Sequence, residues 1–423
     1  MARRYFGTDG VRGVVGDSVT PQLVERLGRA AALWMEGSGV VIGRDTRGSG
    51  PELERAFSTG VASAGAHALL AGVLPTPAVA LLATPGLGAV ISASHNPPEY
   101  NGVKFFRSDG SKLSDADEEA IEALLESPPR NEDAGQIDDL EVAVDSYLDH
   151  VLERFGADLE GLKIGVDCAN GAYSRIAPRA FADLGAEVVT IGVEPDGSNI
   201  NVGCGATDLR ALQKLVLEKG LDLGIAFDGD GDRMLAVDGN GEALDGDQIE
   251  AVLALDLGVD RVAVTTMTNL GFHRLMAEHG IGVITTDVGD RYVLEALRET
   301  GAVLGGEQSG HIIYLDGHVT GDGLAAALLL CNALHGRTLA EAAGVMERFP
   351  QVKENVEVAR RELSDGLRHE VDRLNEALRG RGRVLVRPSG TEPVIRVLAE
   401  AETDEEAADL SARITALVVE ELG

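Results

Sequence analysis

One pattern of secondary-structure signals occurs three times along this chain. Each copy begins with a short apolar run that ends in polar residues, continues through a helix-like segment to a glycine, and closes with a second apolar run. The copies cover residues 40–72, 163–192 and 261–287. A strand, a helix and a second strand in about 30 residues form a βαβ unit, which builds parallel sheets. Three copies at intervals of roughly 100 residues therefore predict three similar α/β domains.

The C-terminal part of the chain has a different pattern. Strand-like runs at 383–386 and 394–400 precede an amphipathic helix at 404–422, and a further helix is expected within 360–381. This arrangement is typical of an α+β domain. The predicted fold class is α/β, with three similar α/β domains of mixed, largely parallel sheets and a C-terminal α+β domain around a central cleft. The predicted domains are residues 1–156, 157–252, 253–362 and 363–423.

The first predicted domain contains the most apolar part of the chain. Residues 56–98 include no Asp, Glu, Lys or Arg, but Pro75, Pro77 and several glycines divide them into pieces too short to cross a bilayer. Buried elements of an α/β domain are therefore expected there. Helices at 115–126 and 138–155 are expected to close this domain, with the acidic stretch 128–139 as a loop.

The charge balance limits the partners of this chain. Its 37 Lys and Arg and 69 Asp and Glu give a formal net charge of −32, which argues against nucleic acid and against anionic membrane surfaces. The N-terminus lacks the apolar segment of a signal peptide, and the three widely spaced cysteines fit a reducing compartment. We therefore expect a cytoplasmic protein, either a monomer or a homodimer, that supplies positive charge locally to any anionic substrate.

The acidic loop 228–233 follows an apolar run at 223–227 that predicts a buried strand. Asp228, Asp230 and Asp232 can converge because the glycines between them allow a tight bend. Converging carboxylates require a cation, and hard oxygen ligands favour Mg²⁺. An EF-hand does not fit, because Arg233 and Gly239 occupy the positions that need glycine and glutamate. The alternative is an aspartate-rich surface turn; a phosphate oxygen is a natural further ligand.

A second polar segment, residues 92–97, follows a predicted strand at 88–91. Ser94 is a candidate nucleophile, and His95 is a candidate for positioning phosphate or moving protons. A simple polar turn is the alternative.

Lys104 stands between apolar residues. It is either a surface group or it faces the same cleft as Ser94, where partial burial would lower the pKa of Lys104 and suit proton transfer.

Two further loops combine glycines with polar groups. Glu307, Ser309 and His311 stand at alternate positions of a tight turn, which suits the vicinal hydroxyls of a sugar or is simply structural. The loop 387–392 combines an arginine with hydroxyls and glycine N–H groups, which suit a phosphate. The arginines of segment 43–47 and of the glycine-rich start of the chain could approach the serine loop, residues 92–97. The weaker candidates are Thr8, Arg12, Arg44 and Arg396.

These four loops, one in each predicted domain, occur in the order found in the α-D-phosphohexomutase superfamily. The chain resembles that superfamily along essentially its whole length. The opening segment 4–13 and Gln308 in the third loop are similar to the bacterial phosphoglucosamine mutase branch, whereas segment 98–101 resembles archaeal-type members. Neither GxxxxGK[ST] nor GxGxxG occurs, which weakens a kinase or a dehydrogenase interpretation.

The resemblance implies a mutase that interconverts glucosamine 6-phosphate and glucosamine 1-phosphate through phosphorylated Ser94 and a sugar 1,6-bisphosphate. It assigns catalytic roles to Ser94, His95, Lys104 and Arg233. It assigns the binding of Mg²⁺ to Ser94, Asp228, Asp230 and Asp232. It assigns substrate binding to Glu307, Ser309, His311, Arg387, Ser389, Gly390 and Thr391.

Three other functions stay open at this point. A phosphoglucomutase or phosphomannomutase of the same superfamily is the first alternative. A metal-dependent phosphatase would use the same serine but let water attack the phosphoserine. A sugar-phosphate sensor without catalysis is the third, and the presence of a nucleophile, metal ligands and a lysine argues against it.

Overall fold

The computed structural model describes residues 4–7, 9–35, 39–84, 86–128, 134–389 and 393–423. Two compact units are present. One comprises Met1–Thr266 and Val283–Ala343, and the other comprises Met267–Gly282 and Gly344–Gly423. The domain boundaries predicted from the sequence stay a prediction.

The strands of the described residues form four sheets. The first contains β1 (Val11–Val14), β2 (Gly39–Arg44), β3 (His67–Val73), β4 (Gly86–Ile91), β5 (Tyr100–Arg107) and β6 (Ile137–Asp139). The second contains β7 (Lys163–Asp167), β8 (Glu187–Ile191), β9 (Leu223–Phe227), β10 (Met234–Asp238) and β11 (Ala243–Leu244). The third contains β12 (Arg261–Thr265), β13 (Gly282–Thr286), β14 (Leu304–Gly306) and β15 (Ile312–Tyr314), and the fourth contains β16 (Gln351–Glu357), β17 (Gly382–Pro388) and β18 (Val394–Ala401).

The helices follow the expected alternation with the strands. In chain order they are α1 (Pro21–Trp34), α2 (Gly50–Ser63), α3 (Thr76–Leu82), α4 (Asp115–Ala123), α5 (Ala143–Phe155), α6 (Ala177–Asp183), α7 (Arg210–Lys219), α8 (Gly246–Leu257), α9 (Leu270–Glu278), α10 (Asp290–Thr300), α11 (Gly323–Ala333), α12 (Leu339–Ala343), α13 (Asp365–Leu378) and α14 (Asp404–Leu422). Local signals set several of their starts: Thr20 caps α1 ahead of Pro21, and Thr403 caps α14. None of the helices described here is both long and apolar enough to cross a membrane.

The predicted α/β class is confirmed. In the first sheet, with order β1-β5-β4-β2-β3-β6, strands β2, β3, β4 and β6 are joined by parallel pairs, while β5 runs antiparallel to β4. The second and third sheets are also mixed, and in the fourth, with order β16-β18-β17, both pairings are antiparallel.

One local prediction in the first domain is wrong. The stretch 128–139 was expected to be a loop, but its last three residues form β6, which pairs in parallel with β3. The helix expected from residue 138 consequently begins at Ala143. All three residues of β6 are exposed, so its sequence lacks the apolar run by which a strand is recognised.

The sheet register brings the ends of several strands together. Arg44 at the end of β2 is the partner of Ile91 at the end of β4, so the residues that follow these two parallel strands emerge side by side. Strands β9 and β10 form a hairpin in which Phe227 pairs with Met234, and the acidic loop 228–233 joins them. Polar side chains beyond parallel strands are therefore placed at one edge of a sheet, where ligands of α/β proteins bind.

Candidate active site

Ser94 lies just beyond the carboxyl end of β4 and has a left-handed backbone conformation, with φ of 51°. A serine in this region is strained, and such strain is found at functional sites. Ser94 is 1% exposed, and its Oγ donates a hydrogen bond to Asp228 Oδ2 at 2.6 Å. His95 Nδ1 lies 3.2 Å from the same Oγ. The structure therefore brings the candidate nucleophile together with a candidate metal ligand and the candidate histidine.

The acidic loop and the serine loop touch through their backbones. A Cβ atom added to Gly229 would lie 2.7 Å from the Ser94 carbonyl oxygen, so the approach requires glycine. Asn201 joins them from the segment after β8, and its Nδ2 donates to the same oxygen at 2.9 Å. Asn201 could not be identified from the sequence, because no local pattern shows that a loop residue will contact a strand end more than a hundred residues earlier.

Arg47, rather than Arg44, contacts the serine loop. Arg44 donates from Nε to Glu54 Oε2 at 3.2 Å. Arg47 Nη2 donates to the carbonyl oxygens of Ser94 and Asn96, both at 2.8 Å. Of the two arginines in segment 43–47, Arg47 makes these contacts, and the site role expected for Arg44 stays a prediction.

The three aspartates of the acidic loop form a cluster that fits a divalent cation. One carboxylate oxygen of each of Asp228, Asp230 and Asp232 lies within 4.8 Å of the others, and all three residues are buried. Oδ1 of Asp230 and Oδ1 of Asp232 are buried and make no hydrogen bond. Buried carboxylate oxygens are stable only when paired or bound to a metal, and oxygen-only ligand sets favour Mg²⁺ or Ca²⁺.

Electrostatics within the cluster differ from one carboxylate to the next. Burial, with the negative charges of Asp232 and Asp230, holds the pKa of Asp228 well above its ordinary value. Burial acts in the same direction on Asp232, but the Lys104 ammonium and His311 outweigh it, so the pKa of Asp232 lies well below its ordinary value. The cluster therefore already contains one strongly stabilised anion beside a carboxylate that resists ionisation without added positive charge.

The expectation that burial lowers the pKa of Lys104 is wrong. Lys104 is 1% exposed, and burial alone would lower the pKa, but its Nζ lies 2.7 Å from Asp230 Oδ2, 2.9 Å from Asp232 Oδ2 and 3.4 Å from Asp9 Oδ2. These carboxylates outweigh burial and hold the pKa of Lys104 above its ordinary value. Lys104 is therefore an ammonium ion that neutralises the acidic loop.

His95 and Arg233 have opposite charge states. Burial, together with the positive charges of Arg233 and Arg12, lowers the pKa of His95 to about 4, so its imidazole is neutral near pH 7. Burial opposes the charge of Arg233, but Asp232 and Asp228 outweigh it, so the pKa of Arg233 lies above its ordinary value. A neutral imidazole thus lies 3.2 Å from the serine oxygen, and the fixed positive charge of Arg233 acts on that imidazole.

Asp9 connects the N-terminal segment to this site. Its carboxylate contacts Arg12, lies 2.7 Å from Lys112 Nζ, and lies 3.4 Å from Lys104 Nζ. Asp9 and Lys112 were not singled out from the sequence, since a lone carboxylate and a lone lysine carry no pattern. Thr8, the other candidate of this segment, lies outside the described residues.

The loop 307–311, between β14 and β15, is connected to the acidic loop through its histidine. His311 Nδ1 lies 3.9 Å from Asp232 Oδ1, and its Nε2 lies 3.5 Å from Asp290 Oδ2. Burial acts to lower the pKa of His311, but Asp290 and Asp232 outweigh it and raise that pKa. Glu307 Oε1 accepts from Gly289 N at 3.0 Å, and Ser309 Oγ lies 3.5 Å from Glu307 Oε2.

Gln308 connects the loop 307–311 to the start of α8. Its Nε2 donates to Asp247 Oδ2 at 3.0 Å, and Asp247 is fully buried. Gly246 N donates to the Gln308 carbonyl oxygen at 3.0 Å, and a Cβ atom on Gly246 would lie 2.0 Å from the carbonyl oxygen of Glu307. Gln308, which is the residue of this loop that resembles the phosphoglucosamine mutase branch, thus helps to position the loop through its hydrogen bond to Asp247.

The fourth loop lies in the unit that contains the C-terminus. Arg387 on β17 is directly opposite Arg396 on β18, and Arg361 Nη1 donates to the Ser389 carbonyl oxygen at 3.3 Å. Two arginines on adjacent strands thus lie next to the loop that follows β17. Gly390 and Thr391 lie outside the described residues.

Comparisons with known proteins cover the whole chain. Four family descriptions match in order: Phosphoglucomutase/phosphomannomutase, alpha/beta/alpha domain I at residues 3–132, domain II at 145–242, domain III at 245–349, and the C-terminal domain at 338–417. A phosphoglucosamine mutase from Bacillus pumilus (strain SAFR-032) is 45% identical over 444 residues, which cover 99% of this chain and 99% of that protein.

Solved structures agree in fold. A phosphoglucomutase/phosphomannomutase family protein from Burkholderia thailandensis has a TM-score of 0.83 at 24% identity, covering 100% of this chain and 98% of that one. Aspergillus fumigatus N-acetylphosphoglucosamine mutase, in complex with GlcNAc-6P and magnesium, has a TM-score of 0.74 at 20% identity, covering 98% of this chain and 95% of that one.

Four successive α/β and C-terminal domain matches, together with full-length relatives that are mutases, define an enzyme of the isomerase class. More particularly, the chain belongs to the phosphoglucomutase/phosphomannomutase family, within the α-D-phosphohexomutase superfamily.

Proposed function

We propose that this protein interconverts glucosamine 6-phosphate and glucosamine 1-phosphate through a phosphorylated Ser94 and a sugar 1,6-bisphosphate. One observation carries the chemistry: the strained, buried Ser94 has its Oγ 2.6 Å from Asp228 in a cluster of three carboxylates. The choice of sugar is supported by the 45% identical phosphoglucosamine mutase, which this chain matches over nearly its full length.

Asp228, Asp230 and Asp232 are the proposed ligands of Mg²⁺, together with an oxygen of the phosphate on Ser94. Two buried carboxylate oxygens without hydrogen bonds support this assignment. The bound ion supplies Lewis acidity, which withdraws charge from the phosphoryl oxygens. The protein holds the ligands in place through its backbone: Gly231 N and Arg233 N donate to Asp228 Oδ1 at 3.1 and 3.2 Å.

In the proposed transfer step, a phosphoryl group moves from Ser94 to the sugar phosphate and a proton moves to Ser94. A hydroxyl oxygen of the sugar phosphate attacks the phosphorus on Ser94, the P–Oγ bond breaks, and the hydroxyl proton finally resides on Oγ. His95 lies 3.2 Å from that oxygen and is neutral, so it can exchange a hydrogen bond with the leaving serine. Lys104 is the proposed proton shuttle; as an ammonium it donates, and it accepts only after releasing a proton. Arg233 stabilises the charge on the transferred group.

The bisphosphate must then turn around and return its other phosphate to Ser94. The proposed sugar ligands are Glu307, Ser309 and His311. The proposed ligands of the phosphate that is not reacting are Arg387, Ser389, Gly390 and Thr391, with Arg12 and Arg396 as further sources of positive charge. Both ends of the ligand have to be accepted at each position, since either phosphate can be the one transferred.

The test is turnover on a panel of glucosamine, glucose and mannose phosphates, with glucose 1,6-bisphosphate as activator. We expect the highest kcat/KM for glucosamine 6-phosphate. A clear preference for glucose or mannose phosphates would instead favour a phosphoglucomutase or phosphomannomutase. Release of free phosphate at the rate of sugar-phosphate turnover would favour a phosphatase.

Ser94→Ala tests the covalent route directly. We expect this variant to lose essentially all turnover and to stay unphosphorylated by intact mass after incubation with glucose 1,6-bisphosphate, while the parent protein becomes phosphorylated. Full turnover by Ser94→Ala would rule out the phosphoserine mechanism.

A further inference from the structure

The backbone of Ser94 is held at both ends by one buried ion pair. Arg47 Nε lies 2.8 Å from Asp45 Oδ2, and both side chains are completely buried. On one side, Arg47 Nη2 donates to the Ser94 carbonyl oxygen at 2.8 Å. On the other side, Ser94 N donates to Ser92 Oγ at 2.9 Å, and Ser92 Oγ donates to Asp45 Oδ2 at 2.6 Å. The hydrogen bonds form a closed ring through Asp45, Arg47, Ser94 and Ser92.

Burial of Arg47 in this ring requires hydrogen-bond partners for its whole guanidinium group. A buried guanidinium is stable only if all its N–H groups are bonded, and Arg47 meets this by also donating to the carbonyl oxygens of Asn96, Pro97 and Tyr100. Bonds to four carbonyls between Ser94 and Tyr100 fix the path of the chain from the serine loop to the start of β5. A left-handed serine persists only where the surroundings determine its conformation, and this ring supplies those surroundings.

Asn201 makes a second clamp on the same loop from outside the ring. Its Nδ2 donates to the carbonyl oxygens of Ser94 and Asn96, at 2.9 and 3.2 Å, which are the two oxygens that Arg47 Nη2 contacts. Asn201 itself has φ of 59°, which asparagine and glycine tolerate better than other residues.

We infer that Ser92 is a positioning residue for the nucleophile, and that its hydroxyl transmits the Asp45–Arg47 ion pair to Ser94. Ser92 is fully buried and its oxygen is engaged on both sides, as acceptor from Ser94 N and as donor to Asp45. Without that hydroxyl, the N–H of Ser94 loses its acceptor and the left-handed turn is fixed from the carbonyl side alone. The inference rests on the proposed role of Ser94 as the phosphorylated residue.

The test compares Ser92→Ala with Ser92→Thr, using glucosamine 6-phosphate and glucose 1,6-bisphosphate. We expect Ser92→Ala to lower kcat about 100-fold, because a displacement of the nucleophile by about 1 Å has that effect, with KM within about threefold of the parent value. Ser92→Thr keeps the hydroxyl and should recover most of the lost kcat. The ³¹P NMR shift of the phosphoserine should move in Ser92→Ala and return in Ser92→Thr.

Ser58→Ala is the matched control, since Ser58 is also buried and its hydroxyl donates to a carbonyl oxygen, that of Arg55, within α2. It should leave kcat unchanged. A kcat for Ser92→Ala near the parent value, a rise in KM alone, or no recovery in Ser92→Thr would each overturn the inference.

Asn201→Gly is the second variant in case Ser92→Ala does not fold. It keeps the left-handed backbone and removes the amide that contacts Ser94 and Asn96, so kcat should fall with KM unchanged. A parent-like kcat would contradict the positioning role of these contacts.

Different results would overturn the proposed function and the positioning inference. If the parent protein cannot be phosphorylated on Ser94, the proposed function is wrong; if the parent is phosphorylated and both variants match it, only the positioning inference is wrong.

Discussion

Lys104 sets the charge balance of the acidic loop at the scale of single residues. Its ammonium lies within 3 Å of carboxylates from Asp230 and Asp232, and all three side chains are buried. The two carboxylates stabilise the buried ammonium of Lys104, and the ammonium in turn stabilises the two buried carboxylates. Removing one partner of a buried ion pair leaves an uncompensated charge, which typically costs about 3–5 kcal/mol.

We therefore predict that Lys104→Met lowers the free energy of unfolding by about 3–5 kcal/mol without Mg²⁺. Added Mg²⁺ should recover more stability in this variant than in the parent, because the dication replaces the lost positive charge on the same carboxylates. Urea unfolding with and without Mg²⁺ measures both effects.

Lys112→Met is the control for this experiment. Lys112 pairs with Asp9 and Asp290 rather than with the three aspartates of the acidic loop. It should lose stability without the additional recovery by Mg²⁺. Equal recovery in both variants would show that Lys104 does not share the carboxylates with the ion.

Glu250 on α8 is a second residue whose environment has a measurable consequence. It is fully buried, and neither carboxylate oxygen makes a hydrogen bond. Burial and the nearby charge of Asp247 hold the pKa of Glu250 well above its ordinary value. Above about pH 4.3 the unfolded chain releases a proton that the folded protein retains, so this residue makes folding stability fall as pH rises.

Glu250→Gln should remove that dependence. We predict that the variant is more stable than the parent at pH 8, and that the difference shrinks by up to about 1.4 kcal/mol per pH unit as the pH is lowered toward 5. Unfolding in urea at several pH values checks this, with Glu299→Gln on the exposed side of α10 as the control. A constant difference between Glu250→Gln and the parent would contradict a neutral Glu250 in the folded protein.

At the scale of elements, the start of α11 supports the acidic loop. Gly323 N, at the first position of α11, donates to the Gly231 carbonyl oxygen at 3.0 Å. The ring of Tyr173 lies against the same loop, since a Cβ atom on Gly231 would be 2.3 Å from that ring. Asp322, which caps α11, accepts from the hydroxyls of Tyr173 and Tyr147, both at 2.8 Å.

These two tyrosines form a matched pair for an experiment. Both are buried and bonded to Asp322, but Tyr173 alone is in contact with Gly231 among the contacts described for the two rings. We predict that Tyr173→Leu weakens binding of Mn²⁺, measured by electron paramagnetic resonance, by about tenfold or more, as is typical for groups that support metal ligands. Tyr147→Leu should change Mn²⁺ affinity less than about twofold, although its loss of stability is similar. Equal effects on Mn²⁺ affinity would mean that general loosening, not the contact with Gly231, is responsible.

At the scale of the whole molecule, the net charge of −32 has its own consequence. Self-repulsion of a highly charged chain disfavours the compact state, and salt screens that repulsion. We predict that Tm rises by several degrees from low to moderate NaCl. KCl at equal ionic strength should act alike, and sucrose serves as the uncharged control. A Tm that is flat or falls with salt would show that attractive pairs dominate the surface.

The elements could be predicted where the sequence carries a local period. The apolar run 223–227 matches β9, and the amphipathic segment 404–422 matches α14. The exposed strand β6 could not be predicted, because its pairing with β3 is a property of the sheet and not of its own side chains. In the site, the polar residues that follow β4 and β9 could be predicted from the sequence. The contacts of Asn201, Asp9 and Arg47 could not.

By itself the sequence determined the elements that carry a local apolar period, and it placed a serine, three aspartates and a histidine just beyond strand ends, because strand and helix signals extend over a few residues. Only the tertiary structure decided what each group contacts. Ser94 meets Asp228 across 134 positions of the chain, and Lys104 meets Asp230 across 126. Charge state follows from those contacts and from burial, which is why the pKa of Lys104 rises where the sequence alone led us to expect a decrease.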